Sequence, residues 1–243
     1  MKYLPLLLSL MALMMSFDVA AQDDLAAKMK KEGVVPGAIY QKGKKTEGYI
    51  KTITYRSDNG EYTSPWAYQD DFKFIEAEKF LKKDKVKNKD FEKYGPKDID
   101  GYDYEDLTYV SAKYSDMTAV GTNMIARTRF FRKIKDGKVT IYHYYSAPPP
   151  VTSGDYDYTP HLTPQPVYRI GDKGKLTLVA DMKVEEELKD CPDVVEQYKS
   201  GAYDVIGGDK KDKGTLARLA NKTNDIREKI HLKVIEDYNE KCQ

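Results

Sequence analysis

The stretch Arg127–Tyr145 constrains this chain more than any other. Two runs rich in β-branched and aromatic residues flank Asp136-Gly137, a dipeptide that readily takes the positive φ values of a two-residue hairpin turn. The pattern predicts the central hairpin of an antiparallel sheet. With such a turn, Phe130, Arg132 and Ile134 share one face with Val139, Ile141, His143 and Tyr145, mostly apolar and expected to form the core side. The other face carries Lys133, Lys135 and Lys138 near the tip, then Arg129, Phe131, Tyr142 and Tyr144 toward the base. Rings beside cations suit a sugar or an anionic ligand, through CH–π and cation–π contacts. These four base residues are therefore candidate ligand-binding residues, unless a helix covers the aromatic end and makes it core.

The first 21 residues are expected to be a signal peptide, set aside before fold reasoning. Lys2 supplies a short positive region, Leu6–Met15 an apolar run too short to span a bilayer, and Val19-Ala20-Ala21 a small-residue cleavage site before Gln22. No cysteine lies near that site, which argues against a lipoprotein, and no second apolar stretch of spanning length follows. The mature chain is thus expected to be exported and soluble. In an oxidising compartment the two cysteines, Cys191 and Cys242, read as a disulfide staple; nothing resembles the C-x-x-C of a redox pair. Twenty tyrosines argue against wholesale disorder and suit half-buried strand faces. The formal net charge of +1 argues against a protein that wraps nucleic acid.

Taken in order, residues 22–182 read as a β-rich domain and 183–243 as a helical segment packed on it. Asp23–Glu32 predicts a short amphipathic helix, Ala38–Gln41 and Thr46–Tyr55 strands joined by Lys42–Lys45, and Ser57–Gly60 a turn. Phe72–Ile75 is a short strand and Lys82–Lys89 a solvated basic run. Asp98–Gly101 is a turn entering a strand at Leu107–Lys113. The Pro-rich segment 147–166 is a long loop whose Tyr156 and Tyr158 form a second candidate binding element. A last hairpin covers Val167–Ile170 and Lys175–Val179. Short helices follow at Val184–Lys189 and Pro192–Lys199, then a charged linker at Gly207–Gly214. A long helix from Thr215 to about Lys241 carries Leu216, Leu219, Thr223, Ile226, Ile230 and Val234 on one face.

No frame for chemistry stands out. The nucleophile elbow G-x-S-x-G, Ser-x-x-Lys and H-E-x-x-H are all absent, and His143, His161 and His231 share no metal-ligand spacing. His143 is expected to be a hydrogen-bonded structural residue. The acid run Asp98–Asp106 invites calcium, but its glycine comes too early for an EF-hand loop. Gly207–Gly214 lacks the Gly-Lys-Ser/Thr ending of a phosphate loop. No catalytic residue, metal or cofactor is assigned.

Several short motifs, in this order, carry a resemblance. They are Ala21-Gln22 closing the signal, Gly48-Tyr49-Ile50, Pro96-Lys97-Asp98-Ile99, Asp136–Tyr142, Asp190-Cys191-Pro192, Gly201–Tyr203 and Tyr238-Asn239. The chain resembles a family of exported proteins of Bacteroidetes-type Gram-negative bacteria that have no assigned activity. The resemblance implies a periplasmic or cell-surface location and carries over no catalytic residues. The fold expected is α+β: a twisted antiparallel sheet of roughly six to eight strands, open or partly closed, with C-terminal helices packed on it. The function expected is a non-enzymatic binding or accessory module of the cell envelope, whose partner is a glycan, a peptide or an outer-membrane protein. The alternatives are a secreted glycan hydrolase using paired carboxylates among Asp98–Asp106 and Asp155–Asp157, or a purely structural envelope component.

Overall fold

The computed structural model describes residues 23–53, 55–57, 60–62, 64–115, 126–148, 159–204 and 224–242. The fold is α+β, with open antiparallel sheet structure and helices packed on it. The chain forms two compact units, one of residues 1–62 and 71–106, the other of 63–70 and 107–243. The 182/183 division read from the sequence falls inside the second unit.

In the first unit, residues 23–32 form helix α1. Strands β1 (Val34–Gln41) and β2 (Lys44–Lys51) make a hairpin over Lys42-Gly43, whose φ values of 52° and 76° are both left-handed. The connection is thus two residues, shorter than the Lys42–Lys45 loop expected. The tip is held down: the Lys42 backbone N–H donates to the Asp100 carboxylate at 2.6 Å, and the Gln41 amide donates to the Asp98 carbonyl at 2.9 Å. The strand expected to run on to Tyr55 stops at Lys51. Residues 55–57 (β3) and 60–62 (β4) form a separate small hairpin with Ser57 opposite Gly60, as the turn signal there predicts.

Strands β5 (Phe72–Glu76), β6 (Glu92–Tyr94) and β7 (Gly101–Tyr104) complete this unit in the order β6-β5-β2-β1-β7. Helix α1 and the short α2 (Ala77–Leu81) cover one face over Val34, Tyr49, Ile75, Phe80 and Val86. Lys28 on α1 donates to the Phe80 carbonyl at 2.8 Å and to the Lys83 carbonyl at 2.6 Å, tying α1 to the end of α2. The lysines of Lys82–Lys89 are exposed, as expected, while Val86 among them turns inward.

The second unit orders β8 (Leu107–Tyr114), β9 (Arg127–Lys135), β10 (Val139–Tyr144), β11 (Gln165–Ile170) and β12 (Thr177–Leu178) in sequence, every pairing antiparallel. The hairpin β9–β10 is present, but its register corrects the two-residue reading. Ile141 pairs with Lys135, Tyr142 with Lys133 and His143 with Arg132, so Ile134 bulges out of the ladder and lies exposed. Gly137 has no positive φ. It is small for another reason: a Cβ there would lie 2.5 Å from the Asn239 side chain. The turn is held by its own polar atoms, with the Thr140 hydroxyl donating to the Gly137 carbonyl at 3.1 Å and Lys133 pairing with Asp136 at 3.0 Å.

Short helices α3 (Thr159–Leu162), α4 (Val184–Glu187) and α5 (Pro192–Ser200) precede the long α6 (Asn224–Lys241). One face of β10 and β11, through Val139, Ile141 and Tyr168, packs on Val179, Met182, Leu188 and Val194, and on Ile230, Val234, Ile235 and Tyr238 of α6. Ile230 and Val234 are the positions expected to dock. Leu216, Leu219, Thr223, the Gly207–Gly214 linker and residues 149–158 of the 147–166 loop lie outside the described residues. Cys191 and Cys242 sit at disulfide distance, with a Cα–Cα separation of 5.9 Å.

Candidate functional site

Strand alternation does bring together three of the candidate binding residues on β9 and β10, on the inside of the fold. Phe131, Tyr142 and Tyr144 are almost wholly buried, packed with Tyr114, Val167 and Leu176. Tyr114 meets Phe131 and Tyr144 edge-on at centroid distances of 5.6 and 5.1 Å. The cover comes from β8 and the segment ending in β12, not from a helix. Buried to this degree, these rings offer no open surface on which a ligand could stack. Burial pushes the Tyr142 hydroxyl pKa upward. Arg129 is set apart at the edge of this face, paired with Asp70 at 3.1 Å. Tyr156 and Tyr158 lie outside the described residues.

The acids proposed for hydrolysis are engaged in local structure. Asp98 accepts the Gly95 backbone N–H at 2.7 Å, Asp100 holds the β1–β2 turn, and Asp103 accepts the Tyr40 hydroxyl and pairs with Lys45 at 3.6 Å. Asp155 and Asp157 lie outside the described residues. No group of three or more His, Cys, Asp and Glu able to hold a metal occurs among the described residues.

The histidines also differ from expectation. His143 Nδ1 is buried with no hydrogen-bond partner, so the hydrogen-bonded role expected of it does not hold at that atom. Burial, then the neighbouring Arg132 charge, lowers its pKa. His231 is the well-satisfied one. Its Nδ1–H donates to the Val179 carbonyl at 2.7 Å, and Nε2 faces the Tyr198 hydroxyl at 3.4 Å.

The motifs near the C-terminus meet in one cluster. The Tyr238 hydroxyl donates to Asp190 at 2.8 Å, and the Tyr203 hydroxyl donates to Asp237 at 2.9 Å. Asn239 holds β10 at two points, accepting the Val139 N–H at 2.9 Å and donating to its carbonyl at 2.8 Å. Asp-Cys-Pro, Gly-x-Tyr, Tyr-Asn and the Asp-Gly-Lys turn therefore act together to lock α6 against β10. Burial, reinforced by Asp190, pushes the Tyr238 hydroxyl up to about 12, which keeps it a neutral donor. Sequence reading listed these motifs without seeing that they are partners.

One concave region gathers more cations than carboxylates among the described residues. A cavity of about 380 Å³ in the first unit and one of about 270 Å³ beside His143 are mainly apolar or already ion-paired. The third, about 470 Å³, is lined by Ser111–Ser115, Ala126, Arg169 and Asp172–Leu176. Its wall is built by a tight return after β11. The Gly171 N–H donates to the Lys138 carbonyl at 2.8 Å, and Gly174 lies so close to the Ile170 carbonyl that no Cβ fits. That return buries Leu176 beside Tyr114 and sets Lys173 and Lys175 on the exposed rim. Arg169, opposite Thr140 in the ladder, lies over the Tyr142 ring at 5.4 Å, and its buried Nε has no hydrogen-bond partner among the described residues. Arg169, Lys173 and Lys175 thus line the cavity with a single carboxylate, Asp172. The concavity they face was not visible from sequence, because its other wall is β8, far away in the chain.

Comparison of the chain with family models, with curated proteins and with solved structures finds no match.

Proposed function

We propose that this chain is an exported binding or accessory module of the cell envelope that holds a ligand without transforming it. The observation that carries the reading is the cavity of about 470 Å³, where Arg169, Lys173 and Lys175 line a concave surface with no ion-pair partner among the described residues. Clefts of this size accommodate small ligands. Among the acids that could have served a hydrolase, Asp98 and Asp100 are engaged in turns and Asp103 with a tyrosine hydroxyl and a lysine. The leader pattern of residues 1–21 and the Cys191–Cys242 pair support export, as does the resemblance to exported Bacteroidetes-type proteins.

The test is expression of the full chain with its leader, followed by fractionation and mass measurement. The expected result is a mature protein beginning near Gln22 in the periplasmic or outer-membrane fraction, with both cysteines resistant to alkylation until reduced. An uncleaved, reduced protein in the cytoplasmic fraction would defeat the export half of the reading. Turnover of a glycan by the purified chain would defeat the non-enzymatic half.

A further inference from the structure

We infer that the cavity between β8 and the β11–β12 connection binds a sugar-sized organic anion, with Arg169 as its principal electrostatic anchor. This deepens the binding-module reading and rests on it. Charge comes first. Arg169, Lys173 and Lys175 line one space with Asp172 alone against them, and no ion pair links any of these four groups among the described residues. Like charges gathered in a concavity repel, so an anion entering it relieves that repulsion while gaining contacts of its own. The Arg169 guanidinium is also pre-positioned, since stacking on Tyr142 restricts it before any ligand arrives.

Size and polarity then narrow the class. The space of about 470 Å³ falls in the range for small ligands rather than for a bare ion. Ala112, Ala126 and Leu176 supply an apolar wall beside these charges. A ligand with one anionic group and an apolar ring face matches both features. An acidic or phosphorylated monosaccharide unit has that make-up. Carboxylate and phosphate share the chemistry that Arg169 recognises, and the experiment separates them.

The test is calorimetric titration of the mature, oxidised chain with glucuronic acid, glucose 6-phosphate and glucose, at low and moderate salt. Binding of one or both anions is expected, weakening as salt rises, with glucose at least about tenfold weaker because it lacks the charged group. The stronger of the two anionic titrants then names the source. Lys173→Ala with Lys175→Ala, both at exposed rim positions, should weaken the anion about tenfold at unchanged melting temperature. Arg169→Gln should weaken it further, and Arg169→Lys should recover part of the loss. Equal binding of glucose and the anions, binding insensitive to the rim pair, or no binding of either anion would each overturn the inference. A chain that fractionates with the envelope yet fails these titrations sinks the ligand assignment alone; a chain that binds yet stays cytoplasmic sinks the export reading alone.

Discussion

Gly137 and Asn239 show how one atom's worth of space can decide a turn. The Asn239 amide satisfies both backbone groups of Val139, and it can reach them because position 137 has no side chain. Gly137→Ala should cost about 1–3 kcal/mol by displacing that amide. In an Asn239→Ala background the same change should cost much less, because the two effects share one contact. Urea unfolding of the four proteins in the cycle checks this; full additivity would show that the contact is unimportant.

His231 makes a second residue-scale prediction, this time in pH. Burial is the main cause holding its pKa below the ordinary value, only partly offset by the Val179 carbonyl, which favours the charged form. A folded pKa below the unfolded one means that the unfolded chain binds the proton more readily. The associated stability is therefore complete above about pH 6.5 and is lost as pH falls through the lower folded value. Melting temperature should drop between pH 7 and pH 5. His231→Gln should flatten that drop, leaving a residual slope from His143, which is shifted the same way.

At the scale of elements, α6 is the piece whose placement depends most on contacts distant in sequence. It is held by its apolar stripe, by Asn239, by the Tyr238–Asp190 and Tyr203–Asp237 hydrogen bonds, and by Cys242 just past its end. Cys191 and Cys242 are 51 residues apart. Cross-linking a loop of that length stabilises by about 4 kcal/mol on the chain-entropy account. Reduction, or paired Cys191→Ala and Cys242→Ala replacement, should lower the melting temperature by many degrees while the far-ultraviolet spectrum keeps its β character. An unchanged melting temperature would mean that the packed stripe alone carries α6. Elements with a strong local pattern were legible: the β9–β10 hairpin, the proline-started α5 and the Ile230–Val234 stripe. The register of β9–β10 was not, because Asp-Gly was read as turn chemistry when its glycine serves the approach of α6.

Across the whole molecule, acid should act a second time, below the histidine range. Asp90 is held low chiefly by the Lys87 backbone N–H, Glu92 by the Tyr94 hydroxyl, Asp136 by Lys133 and Asp237 by Lys241. Carboxylates with depressed folded pKa values add stability that is present above their ordinary values and lost as pH falls through the folded ones, below about pH 4. A further, salt-sensitive fall in melting temperature is expected there, checked by thermal melts at pH 5, 4 and 3 in low and moderate salt. A flat profile below pH 4 would mean that these exposed pairs do not stabilise the fold.

Alternating hydrophobicity, turn dipeptides, a helical stripe and two cysteines were enough, without coordinates, to indicate an antiparallel α+β chain with a C-terminal helix tied down. Each of those signals is local, set by which side of a strand or helix a residue occupies. Tertiary structure alone decided that the Phe131, Tyr142 and Tyr144 face is covered by β8 and the approach to β12 and so becomes core. It also decided that Asp190, Tyr203 and Asn239 meet around α6, and that β8 closes a cavity with Arg169, Lys173 and Lys175. Alternation sorts residues onto two faces of a strand, but what covers each face depends on segments distant in the chain, brought there by packing.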